Sequence, residues 1–172
     1  MIRAALLAAT LLQASPAAAQ PCVTTPEAEA LALVVLPEVI RHAGTVCAPR
    51  LPATSLVRRT DSPLLARYDA AAETAWPTAR GAIVKLSDPA MDALLQSSYA
   101  RPLLVTLVAP MVVGRIALED CGMIDRLVTQ LEPLPPRNTA GVLVTALHYL
   151  RAEQAKGKPV AIPELPLCTP RP

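Results

Sequence analysis

The residues whose chemistry is easiest to interpret are four cysteines, at Cys22, Cys47, Cys121 and Cys168. No two of them stand in the Cys-x-x-Cys arrangement that is common in redox enzymes and zinc modules, so neither function is indicated. Structural disulfides persist in oxidising compartments. We therefore expect two disulfides in a protein that matures outside the cytosol, and four cysteines permit three ways of pairing them.

Helix geometry distinguishes among these pairings. A helix predicted over residues 26–43 lies between Cys22 and Cys47 and is about 25 Å long, at about 1.5 Å per residue. The flanking linkers contain about seven residues and reach roughly 23 Å when fully extended, so this pairing is unfavourable. If successive helices alternate in direction, Cys47 meets Cys121 at one end of the bundle and Cys22 meets Cys168 at the other. We predict these two disulfides.

Glu38 and His42 are the candidates for a metal site. They are four residues apart and share a helix face, and helical bundles build metal sites from carboxylates and imidazoles at helical spacing. A complete site would need ligands from another helix, and His148 is the only other imidazole in the chain. Alternatively, His42 lies near the end of its helix and interacts with the last carbonyl groups and the helix dipole. We favour the second interpretation and expect no bound metal or cofactor.

Other catalytic motifs are absent from the sequence. It contains no Gly-x-Ser-x-Gly nucleophile elbow and no phosphate-binding or calcium-binding loop. Asp69 with Glu73, and Asp88 with Asp92, are carboxylate pairs of the kind that glycosidases use. Pairs at helical spacing on a polar face are usually only solvated, however, so we do not expect an enzyme.

Charge and aromatic content argue against a nucleic-acid partner. The formal net charge is only +2 at pH 7, whereas nucleic-acid binding depends on neutralising many phosphates. The chain has three Tyr, one Trp and no Phe, and single-strand binding surfaces need several aromatic rings on which bases stack. A core without Phe must be filled by smaller side chains, which favours closely packed helices.

Residues 1–19 have the features of a cleavable signal peptide. Arg3 supplies the positive charge, an apolar stretch follows as far as Leu12, and three alanines at positions 17–19 form a small-residue cleavage site. We therefore predict a periplasmic or secreted protein.

The mature chain, residues 20–172, is expected to be a single helical domain without a transmembrane anchor. Its longest apolar run lies between Arg101 and Arg115. This run is shorter than the roughly 20 residues that a membrane-spanning helix requires. Its length favours a buried core helix.

The sequence predicts an all-α fold, an irregular bundle of about five to six helices with proline kinks. Three helices begin with a capping residue followed by proline, because the capping oxygen accepts from free N–H groups and proline has no N–H to leave unpaired. These starts are Thr25-Pro26, Ser62-Pro63 and Asp88-Pro89. The predicted helices cover residues 26–43, 63–85, 89–99, 102–116, 119–132 and 139–156.

Particular residues are expected to bound these helices. The first should end near Gly44, Asn138 should cap the last, and Gly157 should end it. Residues 158–172 are rich in proline and should form an extended tail across the surface.

The leading functional hypothesis is a non-catalytic binding or accessory protein of the cell envelope, with an unidentified protein partner. One alternative is a carrier that holds a small apolar ligand in a pocket opened by Pro37, Pro77 and Pro110, because proline inside a helix frees a backbone carbonyl. Another is a hydrolase-like enzyme with an unrecognised site. An exposed apolar patch of several hundred Å² would favour the protein partner, and an enclosed cavity would favour the carrier.

Overall fold

The computed structural model describes residues 21–160 and 162–169, which form an all-helical bundle. The predicted fold class is confirmed. The predicted signal peptide, residues 1–19, lies outside the described residues. The six α-helices of the described part are α1 (Thr25–Val46), α2 (Pro63–Leu86), α3 (Met91–Leu95), α4 (Ala100–Val113), α5 (Cys121–Leu131) and α6 (Pro136–Ala155).

Helix α1 is the centre of the bundle and packs against α2, α4 and α6. It begins one residue earlier than predicted, with Thr24 as its N-cap. The Glu27 carboxylate accepts a hydrogen bond of 2.7 Å from the Thr24 backbone N–H, which satisfies a donor that has no partner within the helix. Pro37 is buried inside α1, and the helix continues beyond it. Its middle is apolar on every side, as expected of a helix with neighbours all round.

Gly44 does not end α1, contrary to the prediction. The helix continues to Val46, and Gly44 is buried where the short 3-10 turn Leu56–Arg58 crosses it. A Cβ atom at position 44 would lie 2.3 Å from the carbonyl oxygen of Val57. This glycine is therefore explained by the close approach of two backbone segments and not by a helix end.

Helix α2 follows its predicted course closely. The Ser62 side chain accepts a hydrogen bond of 3.3 Å from the N–H of Leu65, as expected of an N-cap. Pro77 does not end the helix early, since α2 runs unbroken to Leu86. Its apolar side chains at three- and four-residue spacing face the core, and Tyr68 and Ala79 are among the buried ones.

Four later helices differ from their predicted bounds. Helix α4, predicted over residues 102–116, runs from Ala100 to Val113. The third prediction, residues 89–99, is reduced to the five residues of α3. Helix α5 starts after a 3-10 turn, Leu118–Asp120. Helix α6 begins at Pro136, so Asn138 lies in its first turn and does not cap it. Proline in the first turn is the physical reason for the earlier start, because it needs no N–H partner there.

The C-terminal end of α6 agrees with the prediction. Gly157 follows the helix with a φ of 83°, a left-handed conformation that glycine adopts readily. The described part of the tail is extended and pairs with the short segment that precedes α1. The Val23 N–H donates to the Pro166 carbonyl at 2.7 Å, and the Cys168 N–H donates to the Val23 carbonyl at 2.8 Å.

Both predicted disulfides are present. Cys22 is bonded to Cys168 with a Cα–Cα distance of 4.9 Å, and Cys47 to Cys121 with 5.5 Å. Cys22 precedes the start of α1 and Cys47 follows its end, so the central helix is cross-linked at both ends. Two disulfides with no free cysteine indicate an oxidising, non-cytosolic compartment.

Candidate functional site

The predicted pair Glu38 and His42 is brought together on α1. The His42 Nε2 lies 3.3 Å from the Glu38 Oε1. Arg41 donates to the other oxygen of Glu38 at 3.4 Å and to Asp69 on α2 at 2.6 Å. The Glu38 carboxylate is therefore shared between an imidazole and a guanidinium. No group of three or more metal-ligating side chains occurs within residues 21–160 and 162–169.

A polar cleft of about 250 Å³ lies beside Pro37, between α1, α2 and α4. Its basic side chains face carboxylates: Arg41 pairs with Asp69, and Arg101 pairs with Glu73 at the rim. The predicted opening near Pro37 is therefore a cleft lined by paired charges as well as apolar side chains. Because the charges are balanced, the cleft has no evident preference for an anionic or cationic ligand.

A smaller apolar pocket of about 170 Å³ lies between α1, α2, α5 and α6. Ligand sites for small molecules usually have about 300–1,000 Å³, so this pocket is small for a carrier. It is lined by Leu36, Val39, Ile40, Leu64, Tyr68, Leu127, Val128, Leu131, Thr139 and Leu143.

Two glutamates have lowered pKa values, and both are at helix ends. The Lys85 ammonium, 2.6 Å from the carboxylate, is the main cause of the lowered pKa of Glu27 at the start of α1. Lys156 and Lys158 lower the pKa of Glu153 near the end of α6. Both carboxylates bind neighbouring ammonium groups, and Glu27 also accepts from the Thr24 N–H at the start of α1, so these contacts stabilise the fold.

The most distinctive surface feature is a row of apolar side chains on α4 and the turn before it, here called the α4 ridge. Its members are spaced four residues apart, which places them on one face of the helix. All are well exposed: Tyr99 (79%), Leu103 (60%), Leu107 (62%) and Met111 (73%). A contiguous exposed row of this kind is typical of an interaction surface.

The opposite face of α4 belongs to the core. Ala109 and Val113 are buried, and Val105 packs against a cluster that includes Val34 of α1 and Ala79 of α2. Arg101 is the only charged residue of α4. A helix that is apolar all round is normally buried all round, yet α4 is covered on one side only.

Helix α3 extends the ridge into a groove of about 270 Å³. Its Met91 and Leu94 side chains are exposed beside Leu103, and Met91 adds a flexible thioether that adapts to different contact surfaces. No charged residue lines the groove, whose residues are Met91, Leu94, Leu95, Ser97, Tyr99, Ala100, Leu103, Leu104 and Leu107.

This surface was not predicted from the sequence. The apolar run between Arg101 and Arg115 indicates a buried core helix, which is correct only for one face. The four-residue spacing of Tyr99, Leu103, Leu107 and Met111 was the available signal. It could not be interpreted without knowing how many neighbours α4 has.

No single helix among residues 21–160 and 162–169 is both long and apolar enough to cross a membrane. Helix α4 and the segment Leu118–Leu131 satisfy length and composition criteria only when taken together, and a bend of 92° separates them.

In comparisons with known proteins, the chain matches no family model, no curated protein and no solved structure.

Proposed function

We propose that this chain is an exported, non-catalytic binding protein of the cell envelope, and that the α4 ridge is its binding surface. The signal-peptide pattern of residues 1–19 supports export to the periplasm or beyond. The two disulfides are consistent with that destination, because thiols oxidise there.

The observation that carries this proposal is the one-sided burial of α4. The ridge side chains Leu103 and Leu107 are about three-fifths exposed, while Ala109 and Val113 on the opposite face are buried. Covering exposed apolar surface is favourable by roughly 25 cal/mol per Å². A partner that covers the ridge would therefore gain binding energy from a helix already held in place by α1.

The carrier hypothesis has less support. Its apolar pocket is small, and the cleft beside Pro37 is lined by Arg41, Asp69 and other charged side chains. The hydrolase hypothesis also has less support, because the carboxylates of that cleft, Glu38 and Asp69, are both paired with Arg41. Of the three functional hypotheses, binding through the ridge has the best support.

Site-specific photo-crosslinking in cells tests the proposed surface. A photoreactive phenylalanine analogue at Leu107 should form discrete adducts in the envelope fraction, whereas the same analogue at the exposed Thr78 of α2 should not. If Leu107 forms no more adduct than Thr78, the ridge is not a binding surface.

Export is tested separately from binding. The N-terminal sequence of the mature protein should begin at Gln20, after cleavage at Ala19, and the protein should be recovered with the periplasm or medium. An intact N-terminus in a cytosolic fraction would contradict the proposed location.

A further inference from the structure

We propose that the partner covering the α4 ridge is a second copy of this chain. This inference rests on the proposed function, because it names the occupant of the same surface. The two ridges would pack antiparallel about a two-fold axis between Leu103 and Leu107, so that each copy covers the exposed face of the other's α4.

The area of the surface suits a dimer. Six exposed side chains contribute, the four of the ridge together with Met91 and Leu94 of α3. Together they expose roughly 700–800 Å², close to what one partner contributes to a standard protein–protein interface. The ridge and its groove therefore supply most of the area that a stable dimer needs.

The order of side chains along the ridge is self-complementary. In an interface with two-fold symmetry the same patch meets itself in reverse order. With the axis between Leu103 and Leu107, Leu103 faces Leu107 of the partner subunit, and Tyr99 comes within reach of Met111 of the partner subunit. Leucine pairs pack well, and a thioether beside an aromatic ring is a favourable contact.

The spacing also suits direct helix packing. Side chains four residues apart form the ridges that interdigitate in the most common class of helix–helix contact. Thr106 and Pro110 are exposed beside the ridge, and these smaller side chains leave room for the leucines of the partner.

The lack of charged side chains on the ridge favours a second copy of the chain over a lipid surface as its partner. Amphipathic helices that lie on membranes usually carry several Lys and Arg residues on their polar face. Helix α4 has only Arg101, whose guanidinium is paired with Glu73, and no charged residue lines the groove. An uncharged face has little electrostatic attraction to anionic lipid, and it meets its own copy without like-charge repulsion.

Sedimentation equilibrium of the mature protein tests the inference. The wild type should be a dimer at micromolar concentration. Leu107→Glu should weaken dimerisation by at least about 100-fold, because it buries two unpaired carboxylates near the axis. The matched control is Val142→Glu, the same kind of change at an exposed apolar position of α6, which should remain dimeric. Circular dichroism should show both variants folded.

A mixing experiment tests the register. Leu103→Glu and Leu107→Lys should each be monomeric alone, and the mixture should form a heterodimer in which the new carboxylate faces the new ammonium of the partner. If the mixture stays monomeric while each variant is folded, the antiparallel register is wrong.

The outcomes separate this inference from the proposed function. A wild type that stays monomeric at high micromolar concentration overturns the dimer. If crosslinking at Leu107 then gives an adduct of a different protein, the ridge still binds but its occupant is not a second copy. Flotation of monomer with vesicles of phosphatidylethanolamine and phosphatidylglycerol would likewise contradict the dimer and assign the surface to lipid. No adduct and no flotation would contradict both proposals.

Discussion

The phenolic hydroxyl of Tyr68 on α2 donates a hydrogen bond of 2.8 Å to the Thr139 hydroxyl in the first turn of α6. Both side chains are almost fully buried, with exposed fractions of 2% and 1%. Tyr68 is the largest fully buried side chain in the described part of the chain. A polar contact at this depth holds two helices in register, because either hydroxyl without the other would be unsatisfied.

Removal of the Tyr68 hydroxyl should destabilise the fold. We expect Tyr68→Phe to lower the free energy of unfolding by about 1–2 kcal/mol, because the buried Thr139 hydroxyl loses its partner. Urea denaturation measures the change. The double variant Tyr68→Phe/Thr139→Val should lose less than the sum of the single variants, and strict additivity would show that the two hydroxyls are not coupled.

Two glycines should respond in opposite directions to alanine. Gly44→Ala should lower the free energy of unfolding by about 2 kcal/mol or more, because its Cβ would collide with the Val57 carbonyl. Gly81→Ala is the matched control, since position 81 is exposed on α2 with open space around it. It should raise stability by about 0.5–1 kcal/mol through helix propensity. Equal effects at the two positions would refute the close-approach explanation.

The two disulfides should each stabilise the protein substantially. They link residues 74 and 146 positions apart, and the chain-entropy account assigns about 4–5 kcal/mol to closing loops of that size. We expect Cys47→Ser/Cys121→Ser and Cys22→Ser/Cys168→Ser both to lower the melting temperature.

Hydrogen exchange should distinguish the two disulfide variants. Loss of the Cys22–Cys168 bond should increase exchange at the backbone amides of positions 23 and 168, which pair the tail with the segment before α1. Loss of the Cys47–Cys121 bond should leave those amides protected. Thiol labelling of the native wild type should find no free cysteine, and any labelled fraction would contradict the assigned pairs.

Acid should destabilise the protein partly through Glu27. Lys85 and the Thr24 N–H hold its pKa below the ordinary value of 4.5. A carboxylate whose pKa is lower in the folded chain than in the unfolded chain stabilises the fold when the pH is above its pKa in the unfolded chain. This stabilisation is lost as the pH falls through its pKa in the folded chain. Glu27→Gln should therefore be less stable than wild type at neutral pH, and the two should converge below pH 4.5.

Thermal unfolding of wild type and Glu27→Gln, measured between pH 3 and pH 7 in steps of about one pH unit, shows whether their stabilities converge. The exposed Glu132 provides a control, since Glu132→Gln should follow the wild-type curve. A constant difference between wild type and Glu27→Gln at every pH would show that the carboxylate charge is not responsible.

Local signals in the sequence were enough to predict most of the helices. The pairs Ser62-Pro63 and Thr25-Pro26 mark helix starts to within one residue, because capping depends on only a few adjacent groups. Gly157 marks a helix end for the same reason. The predicted start of α3 was wrong because Asp88-Pro89 resembles a cap, whereas the residues after it form a turn before the helix begins at Met91. The predicted start of α6 was wrong because Asn138 resembles a cap, whereas the helix already begins at Pro136.

Residue roles that depend on distant neighbours could not be predicted. On α6, two neighbouring stripes of apolar side chains have helical spacing: Leu143 and Leu150 are exposed, while Ala140 and Val144 are buried. Periodicity identifies both stripes, but only the packing of α6 against α1 selects between them. Gly44 was likewise assigned to a helix end because the crossing turn at Val57 is distant in sequence.

The amino-acid sequence by itself determined the helical class, because capping is local, and it disfavoured a Cys22–Cys47 bond, because the helix between these residues is too long. The pairing of Cys47 with Cys121 rested in addition on the expectation that successive helices alternate in direction, and the structure confirms it. Only the tertiary structure decided which side of α4 is left uncovered. The helix is apolar on both sides, and its burial depends on how many other helices reach it. In this bundle α1 and α2 cover one face, and the row from Tyr99 to Met111 remains exposed.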